Sequence, residues 1–266
     1  MSSPLQPLPV PNCCVWCRKP SPEVDFDESH VLPECVGNQQ QVLPSGIVCK
    51  PCNQYFGAKV EPVLLADPFF HVIAVFLQVV DPDDMNAFRE RLFDVAHPAI
   101  GKVNRKLDLN ATIKDQTVGI DISYAVSGRL EKAYEQRDPA LLSRAVHKVA
   151  FESLVWQIFV GGLQNPPDVF SELFNPVRDW ARWGQPHGSV RPVLRRPNPV
   201  ISTNWNVQAW RFDQNFGVQL NLFADWYSVS LTSPKDTVMQ DLKQWVEQKS
   251  DDMWVITEKM TALKKL

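Results

Sequence analysis

The sequence has little glycine, no large excess of either charge and no long apolar run. Its 266 residues include 11 glycines against 22 prolines, which reverses the usual excess of glycine (about 7%) over proline (about 5%) and predicts stiff turns. The formal net charge of -3 excludes a polybasic protein that binds through bulk charge. The strongly apolar stretch from Phe69 to Val80 is interrupted by His71 and Gln78, and it is shorter than the roughly 18 residues of a membrane span.

The first twelve residues carry four prolines, but neither a positive start nor an apolar segment follows Met1. We therefore expect no secretory signal, no membrane partner and a cytoplasmic location. Apolar residues make up 44% of the chain and charged residues 21%. These fractions are typical of a globular protein with a substantial core.

No cysteine follows Cys52, and all six lie in the first fifth of the chain. Four of them form two Cys-x2-Cys pairs, Cys14 with Cys17 and Cys49 with Cys52. Disulfides are disfavoured in a reducing compartment, whereas two such pairs can enclose a zinc ion in four thiolates. We predict a structural zinc site. A redox pair is the weaker alternative, because neither pair lies near a βαβ pattern.

Several short motifs follow one another between and after the two cysteine pairs. The chain reads Ser-His-Val-Leu-Pro-Glu over 29–34, Gly-Asn over 37–38 and Cys-Asn-x2-Phe-Gly over 52–57. This order resembles the HNH endonucleases, the ββα-metal nucleases, in the branch with two Cys-x2-Cys zinc knuckles. The resemblance runs from about Cys14 to Glu61 and implies a small ββα-metal module.

The resemblance implies a role for each matching residue. His30 matches the general base, and Asn53 matches the final ligand of a catalytic divalent cation, Mg2+, Mn2+ or Ni2+. The structural zinc shell is matched by Cys14, Cys17, Cys49 and Cys52. The chemistry agrees, because phosphodiester hydrolysis needs a base for the attacking water and a cation for the developing charge. A histidine titrates near neutral pH and is well suited to be that base.

Ser29 departs from the family pattern, which has Asp or Glu at this position as the second ligand of the catalytic cation. A neutral hydroxyl is a poor substitute for a carboxylate toward a hard cation. Glu28 or Asp27 could supply the carboxylate if the strand carries a bulge or an insertion. Alternatively the protein has lost cleavage and kept the fold.

The pattern changes to longer amphipathic segments after about residue 66. Helices are predicted to begin at Asp81–Pro82, Asp138–Pro139 and Asn175–Pro176, and a closing helix is predicted over 238–246. Three alternating runs between 201 and 231 predict an antiparallel sheet. We expect an α+β fold with a Pro-rich leader at 1–12, a zinc-stabilised module at 13–66, and a larger domain at 67–266 for substrate or partner recognition.

One segment of this second part is basic. It carries about four positive charges on an otherwise acidic protein and contains Arg178, Arg182, Arg191, Arg195 and Arg196. Such a patch could bind a phosphate backbone. The alternative is that the arginines pack on tryptophans and cover a proline-rich loop.

Three functions remain open at this point. The first is a metal-dependent nuclease that hydrolyses DNA. The second is a catalytically inactive zinc-stabilised module that binds nucleic acid or protein. The third, a zinc-ribbon transcription or assembly factor, fits the cysteines but leaves the motif around His30 and the position of Asn53 unexplained.

Overall fold

The computed structural model describes residues 8–33, 41–66, 109–114, 117–122, 138–163, 165–184, 190–197, 206–212, 215–222, 225–233, 254–256 and 261–262. The fold is α+β, as predicted. The strands are β1 (Phe26–His30), β2 (Val42–Cys49), β3 (Leu109–Lys114), β4 (Thr117–Ile122), β5 (Val193–Pro197), β6 (Asn206–Phe212), β7 (Asn215–Leu222), β8 (Asp225–Ser230), β9 (Trp254–Ile256) and β10 (Thr261–Ala262). The α-helices are α1 (Lys50–Lys59), α2 (Pro62–Ala66), α3 (Pro139–Phe159) and α4 (Asn175–Trp183).

An antiparallel hairpin and a helix form the amino-terminal unit. β1 pairs with β2, and the register shifts between Asp27 and Ser29. α1 follows β2 without a loop and has a proline in its first turn, where a missing N–H costs nothing. This ββα order is the arrangement predicted for residues 13–66.

The irregularity in the hairpin lies mainly in β2. Residues 44–47 of β2 stand opposite the single residue Glu28 of β1, and Gly46 in this stretch has a φ of 101°. A Cβ at Gly46 would lie 2.7 Å from the side-chain oxygen of Asn12, which is too close for any real contact. Only glycine therefore fits this turn. β1 has no inserted residue of its own.

α3 is the central element of the described structure. It begins after Asp138, whose side chain accepts hydrogen bonds from the backbone N–H groups of Ala140 and Leu141, as the Asp-Pro start predicts. The helix packs against α2, α4, β2, β6, β7 and β8. A helix with so many neighbours is expected to be apolar around most of its surface, and most of its residues are buried.

α4 is a short helix that packs along α3. It begins at Asn175–Pro176 and ends at Gly184, as predicted. Gly184 has a φ of 67°, and its N–H bonds to the carbonyl of Trp180. This left-handed end is the usual role of a glycine after the last helical turn.

The main sheet has six antiparallel strands in the order β10-β9-β5-β8-β7-β6. Val218 pairs with Val229 and Leu220 pairs with Tyr227, and all four side chains are buried. The alternation between 201 and 231 thus predicted the strands β6, β7 and β8. It did not predict β5 (Val193–Pro197), which lies in the basic segment, where a proline-rich loop was one of the two alternatives.

A single hydrophobic cluster joins the amino-terminal unit to the rest of the described chain. It includes Trp16 and Phe56 from the first part, Phe151 from α3, and Val218 from the sheet. The ring centroids of Trp16 and Phe151 are 5.0 Å apart. Contacts therefore cross the predicted boundary at residue 66, while the division into domains stays a prediction.

Three sequence predictions cannot be compared with the fold. The helices predicted from Asp81 and over 238–246 lie outside the described residues, as does the part of the leader before residue 8. Among the helices that are described, none is both long and apolar enough to span a membrane. The cytoplasmic location stays a prediction.

Candidate functional site

The four cysteines of the two pairs meet at one point. Their sulfur atoms all lie within 4.8 Å of one another, and the sulfurs of Cys17 and Cys49 are 3.6 Å apart. Four sulfurs bound to one zinc ion at about 2.3 Å would be about 3.8 Å apart. Within the described residues no cysteine forms a disulfide. The geometry fits a closed structural zinc site and leaves no position for a substrate.

Neighbouring thiols in the cluster shift one another's pKa values, because the four cannot all be ionised together without a cation. A hydrogen bond from the Cys52 thiol lowers the pKa of Cys14 to about 5, and the same bond raises the pKa of Cys52. Burial raises the pKa of Cys49 to about 12. Without a cation the four groups must share protons, because four adjacent thiolates repel one another. A zinc ion removes that conflict.

The two residues that the resemblance assigns to the catalytic cation are in contact. The Ser29 hydroxyl lies 3.2 Å from the side-chain oxygen of Asn53. Ser29 is at the end of β1 and is buried, whereas Asn53 is in the first turn of α1 and is half-buried. The pair therefore lies at the border between the interior and the solvent, and Asn53 directly follows Cys52 of the four-cysteine cluster.

Asn53 is held in one orientation by the backbone of β1. Its side-chain nitrogen donates to the carbonyl oxygen of Glu28 at 3.1 Å, so its side-chain oxygen faces Ser29. The Glu28 side chain is exposed. A bulge in β1 was predicted as a way to bring Glu28 into the site. The hairpin does have a register shift at this position, but the extra residues lie in β2 and not in β1. Glu28 contributes a carbonyl to the site, and nothing places its carboxylate there.

His30 follows Ser29 in β1 and is half-buried. Its carbonyl oxygen accepts a hydrogen bond from the ammonium group of Lys148 at 3.0 Å, and the next carbonyl, of Val31, accepts another at 3.2 Å. Lys148 belongs to α3. The backbone that carries the predicted general base is therefore anchored to a residue far away in sequence.

A group of buried charges lies beneath this strand. Lys148 is 2.6 Å from the carboxylate of Glu61 and 3.0 Å from that of Glu152. Glu152 also accepts hydrogen bonds from the indole of Trp16 at 2.8 Å and from the hydroxyl of Ser29 at 3.3 Å. Trp16 lies between the first two zinc ligands in sequence. We call these five residues the buried polar cluster.

The surroundings shift the pKa of Lys148 and the pKa of Glu152. Burial lowers the pKa of Lys148, but the carboxylates of Glu152 and Glu61 outweigh that effect and raise it. Burial raises the pKa of Glu152 to about 7, although Lys148 and Trp16 act in the opposite direction. Lys148 stays charged because four oxygen atoms surround its ammonium group.

Two arginines of the basic segment, Arg178 and Arg191, are buried. Arg178 is 4% exposed and Arg191 is 9% exposed. Arg178 donates to the carbonyl groups of Val15, Val169 and Ser171, and Arg191 donates to those of Ser230 and Ser233. The structure therefore corrects the prediction for these two residues. Their guanidinium groups join segments of the fold and are not available to a phosphate backbone.

Arg182 was predicted to be part of a phosphate-binding surface, but its guanidinium group lies beside the four-cysteine cluster. One nitrogen of its guanidinium group lies 2.9 Å from the sulfur of Cys52, and the group also stacks on Trp183 at 4.8 Å. A charged donor next to a thiolate stabilises the negative charge of a metal shell. Arg195 and Arg196 lie in β5, and their side chains are outside the described residues.

Sequence analysis missed Lys148, Glu152 and Arg144. Arg144 of α3 donates to the Tyr55 hydroxyl and to the carbonyl of Arg182, which ties α3 and α4 to α1. A signal for the first two exists in the sequence. Lys148 and Glu152 have opposite charges, are four residues apart and stand in a largely apolar helix, which is the spacing of an ion pair on one face.

The fold and the site together define a class of protein. Its members have a ββα unit, four cysteines that meet at one point, and an Asn–Ser pair beside them. Residues 14–68 match the family of the HNH endonucleases. The match covers about a fifth of the chain and confirms the resemblance for this segment, which indicates a nuclease-type function. No curated protein and no solved structure matches the chain significantly.

Proposed function

We propose that the protein is a metal-dependent nuclease that hydrolyses phosphodiester bonds of DNA. The observation that carries the proposal is the position of Asn53. Its amide oxygen is oriented by the Glu28 carbonyl and faces the hydroxyl of Ser29, next to a thiol cluster and within the segment that matches the HNH endonucleases. This donor pair offers only oxygen, which hard divalent cations prefer.

Asn53 and Ser29 are the residues that would hold the cation. When bound, a divalent cation stabilises the charge that develops on the phosphate and on the leaving oxygen. His30 takes the proton of the attacking water, a role that an imidazole nitrogen commonly has in general-base catalysis. The hydrogen bond from Lys148 to the His30 carbonyl fixes the backbone of β1 at His30. It thereby helps to position the imidazole.

The thiol cluster and α1 support the same chemistry. α1 is ten residues long and carries Asn53 in its first turn, and the N–H of its first residue, Lys50, donates to the carbonyl of Asp25, which ties the start of the helix to the residue just before β1. The zinc ion fixes the start of α1 against the first knuckle, so that Asn53 keeps its position relative to β1. In this proposal zinc has a structural role and takes no part in the reaction.

Plasmid cleavage tests the proposal. Wild-type protein with Mg2+, Mn2+ or Ni2+ should convert supercoiled DNA to nicked or linear forms. His30→Ala and Asn53→Ala should each lower the rate by at least about 100-fold, the usual contribution of a general base. Gln54→Ala is the matched control, because Gln54 is an exposed neighbour in the same helix. Equal rates for wild type and Asn53→Ala would refute the proposal.

A catalytically inactive binding module is the second candidate. The observation that favours it is Ser29, a neutral residue where the resemblance implies a carboxylate. This function predicts DNA or protein binding without cleavage in any of the three metals. A protein that binds duplex DNA, retains zinc and leaves plasmid intact would support the module and contradict the nuclease.

A further inference from the structure

Ser29 touches a carboxylate that belongs to another part of the chain. Its hydroxyl oxygen lies 3.3 Å from Glu152 and 3.2 Å from the side-chain oxygen of Asn53. Glu152 is in α3, outside the segment that matches the HNH endonucleases. Ser29 and Glu152 are 1% and 0% exposed. The carboxyl group of Glu152 therefore lies one hydrogen bond away from the position where the resemblance implies a carboxylate.

The hydroxyl of Ser29 has one hydrogen and two neighbouring acceptors. A carboxylate is a stronger acceptor than an amide oxygen, so the hydrogen is directed toward Glu152. The same hydroxyl can donate to Asn53 at 3.2 Å, but whenever it donates to Glu152 the oxygens of Ser29 and Asn53 face each other with no hydrogen between them. Their lone pairs repel unless a positive charge lies beside them.

The distance between these oxygens fits a shared cation. Two oxygens that bind one divalent ion at right angles, each at about 2.1 to 2.4 Å, are about 3.0 to 3.4 Å apart. The amide of Asn53 cannot turn away easily, because its nitrogen is bonded to the Glu28 carbonyl. Both oxygens are thus oriented before any cation arrives.

We infer that Glu152 supplies the carboxylate of the catalytic metal site from α3, by holding the hydrogen of Ser29 so that the Ser29 oxygen binds the cation together with Asn53. This inference rests on the proposed nuclease function and deepens it. Glu152 is a positioning residue in this arrangement, since it acts through Ser29. Lys148 and Trp16 hold its carboxylate in place.

Binding of Mn2+ to the zinc-loaded full-length protein, measured by titration calorimetry, tests the inference without cleavage. Glu152→Gln should weaken Mn2+ binding by roughly 10- to 100-fold, the usual cost of losing a residue that orients a metal ligand. Glu61→Gln is the matched control. It removes the other carboxylate that pairs with Lys148 and leaves the contacts of Glu152 with Lys148 and Ser29 in place. It should change the affinity by less than about threefold.

A double-mutant cycle tests whether Glu152 acts through Ser29. Ser29→Ala should weaken Mn2+ binding about as much as Glu152→Gln, and adding Glu152→Gln to Ser29→Ala should cost little more. Ser29→Ala leaves the pair of Lys148 and Glu152 intact, so it remains informative if Glu152→Gln does not fold. Wild-type affinity in Ser29→Ala would overturn the inference.

A further test moves the carboxylate from position 152 to position 29. Ser29→Asp places a second buried carboxylate next to Glu152, and like charges at this distance destabilise the site. The double variant Ser29→Asp/Glu152→Gln returns to one carboxylate and should bind Mn2+ more tightly than Glu152→Gln alone. If the double variant binds no better, the carboxylate does not serve the metal site.

The outcomes separate this inference from the proposed function. If the wild type binds no Mn2+, or Asn53→Ala binds it equally well, both the nuclease site and the inference fail. If Asn53→Ala loses binding while Glu152→Gln and Glu61→Gln behave alike, the metal site stands and the inference is overturned. Additive losses in the cycle also overturn it.

Discussion

The thiol cluster and the Ser29–Asn53 pair differ in where their residues come from. The cluster takes all four cysteines from two short motifs within residues 14–52. The Ser29–Asn53 pair has two residues in the same segment, but the carboxylate beside it comes from α3. The comparison shows that one site is encoded by local spacing, whereas the other depends on the packing of a distant helix.

The largest effect is expected from the local site. Cys49→Ser should abolish stoichiometric zinc and unfold the amino-terminal unit, because binding of structural zinc contributes on the order of 10 kcal/mol to folding. Cys13→Ser is the control, since Cys13 lies outside the four-thiol cluster and should retain zinc. Metal analysis and thermal unfolding measure both. One zinc per chain in Cys49→Ser would contradict this assignment.

The second-largest effect is expected at Lys148 of α3, which supports the Ser29–Asn53 pair and not the thiol cluster. Lys148→Met leaves two buried carboxylates without their cation and should lower the free energy of unfolding by about 3 to 5 kcal/mol. Lys59→Met, at an exposed position of α1, should change it by less than about 0.5 kcal/mol. Denaturant unfolding compares them. Similar values for the two variants would show that the buried polar cluster does not join α3 to β1.

A smaller effect tests whether the thiol cluster is wholly local. Arg182→Ala removes the donor at 2.9 Å from the sulfur of Cys52 and should weaken zinc binding by roughly tenfold. Arg182→Lys keeps the charge and should weaken it less. Competition with a chelator measures the affinities. Unchanged zinc affinity in Arg182→Ala would mean that α4 does not support the cluster.

The smallest effect concerns DNA binding outside both sites. Replacing Arg195 and Arg196 together by alanine should weaken binding to all duplex sequences about equally and lower the salt slope by about one per lost phosphate contact. Arg178→Ala should instead destabilise the fold, because its guanidinium is bonded to backbone carbonyls. Binding isotherms at several salt concentrations check the first part. An unchanged slope would assign Arg195 and Arg196 to structure.

Sequence analysis predicted the features that depend on neighbours in the chain. The two cysteine pairs, the helix starts at Asp138–Pro139 and Asn175–Pro176 and the alternation in β7 and β8 all specify local structure, and each is confirmed by the fold. The match to the HNH endonucleases confirms the resemblance carried by the motifs over 14–61.

Long-range contacts could not be predicted in the same way. Nothing in the residues around Ser29 indicates that Glu152 will lie 3.3 Å away, and a cluster of arginines gives no sign that Arg178 and Arg191 point inward. A single sequence records composition and spacing, whereas burial depends on which helix packs against which strand. The buried polar cluster therefore becomes visible only in the folded protein.

The most direct measurement is a crystal structure of the zinc-loaded protein soaked with Mn2+, with anomalous data collected at the absorption edges of both metals. The account predicts a zinc peak among Cys14, Cys17, Cys49 and Cys52 and a manganese peak bound by the side-chain oxygens of Ser29 and Asn53, with Glu152 bonded to Ser29. A manganese peak elsewhere, or none near Asn53, would contradict it.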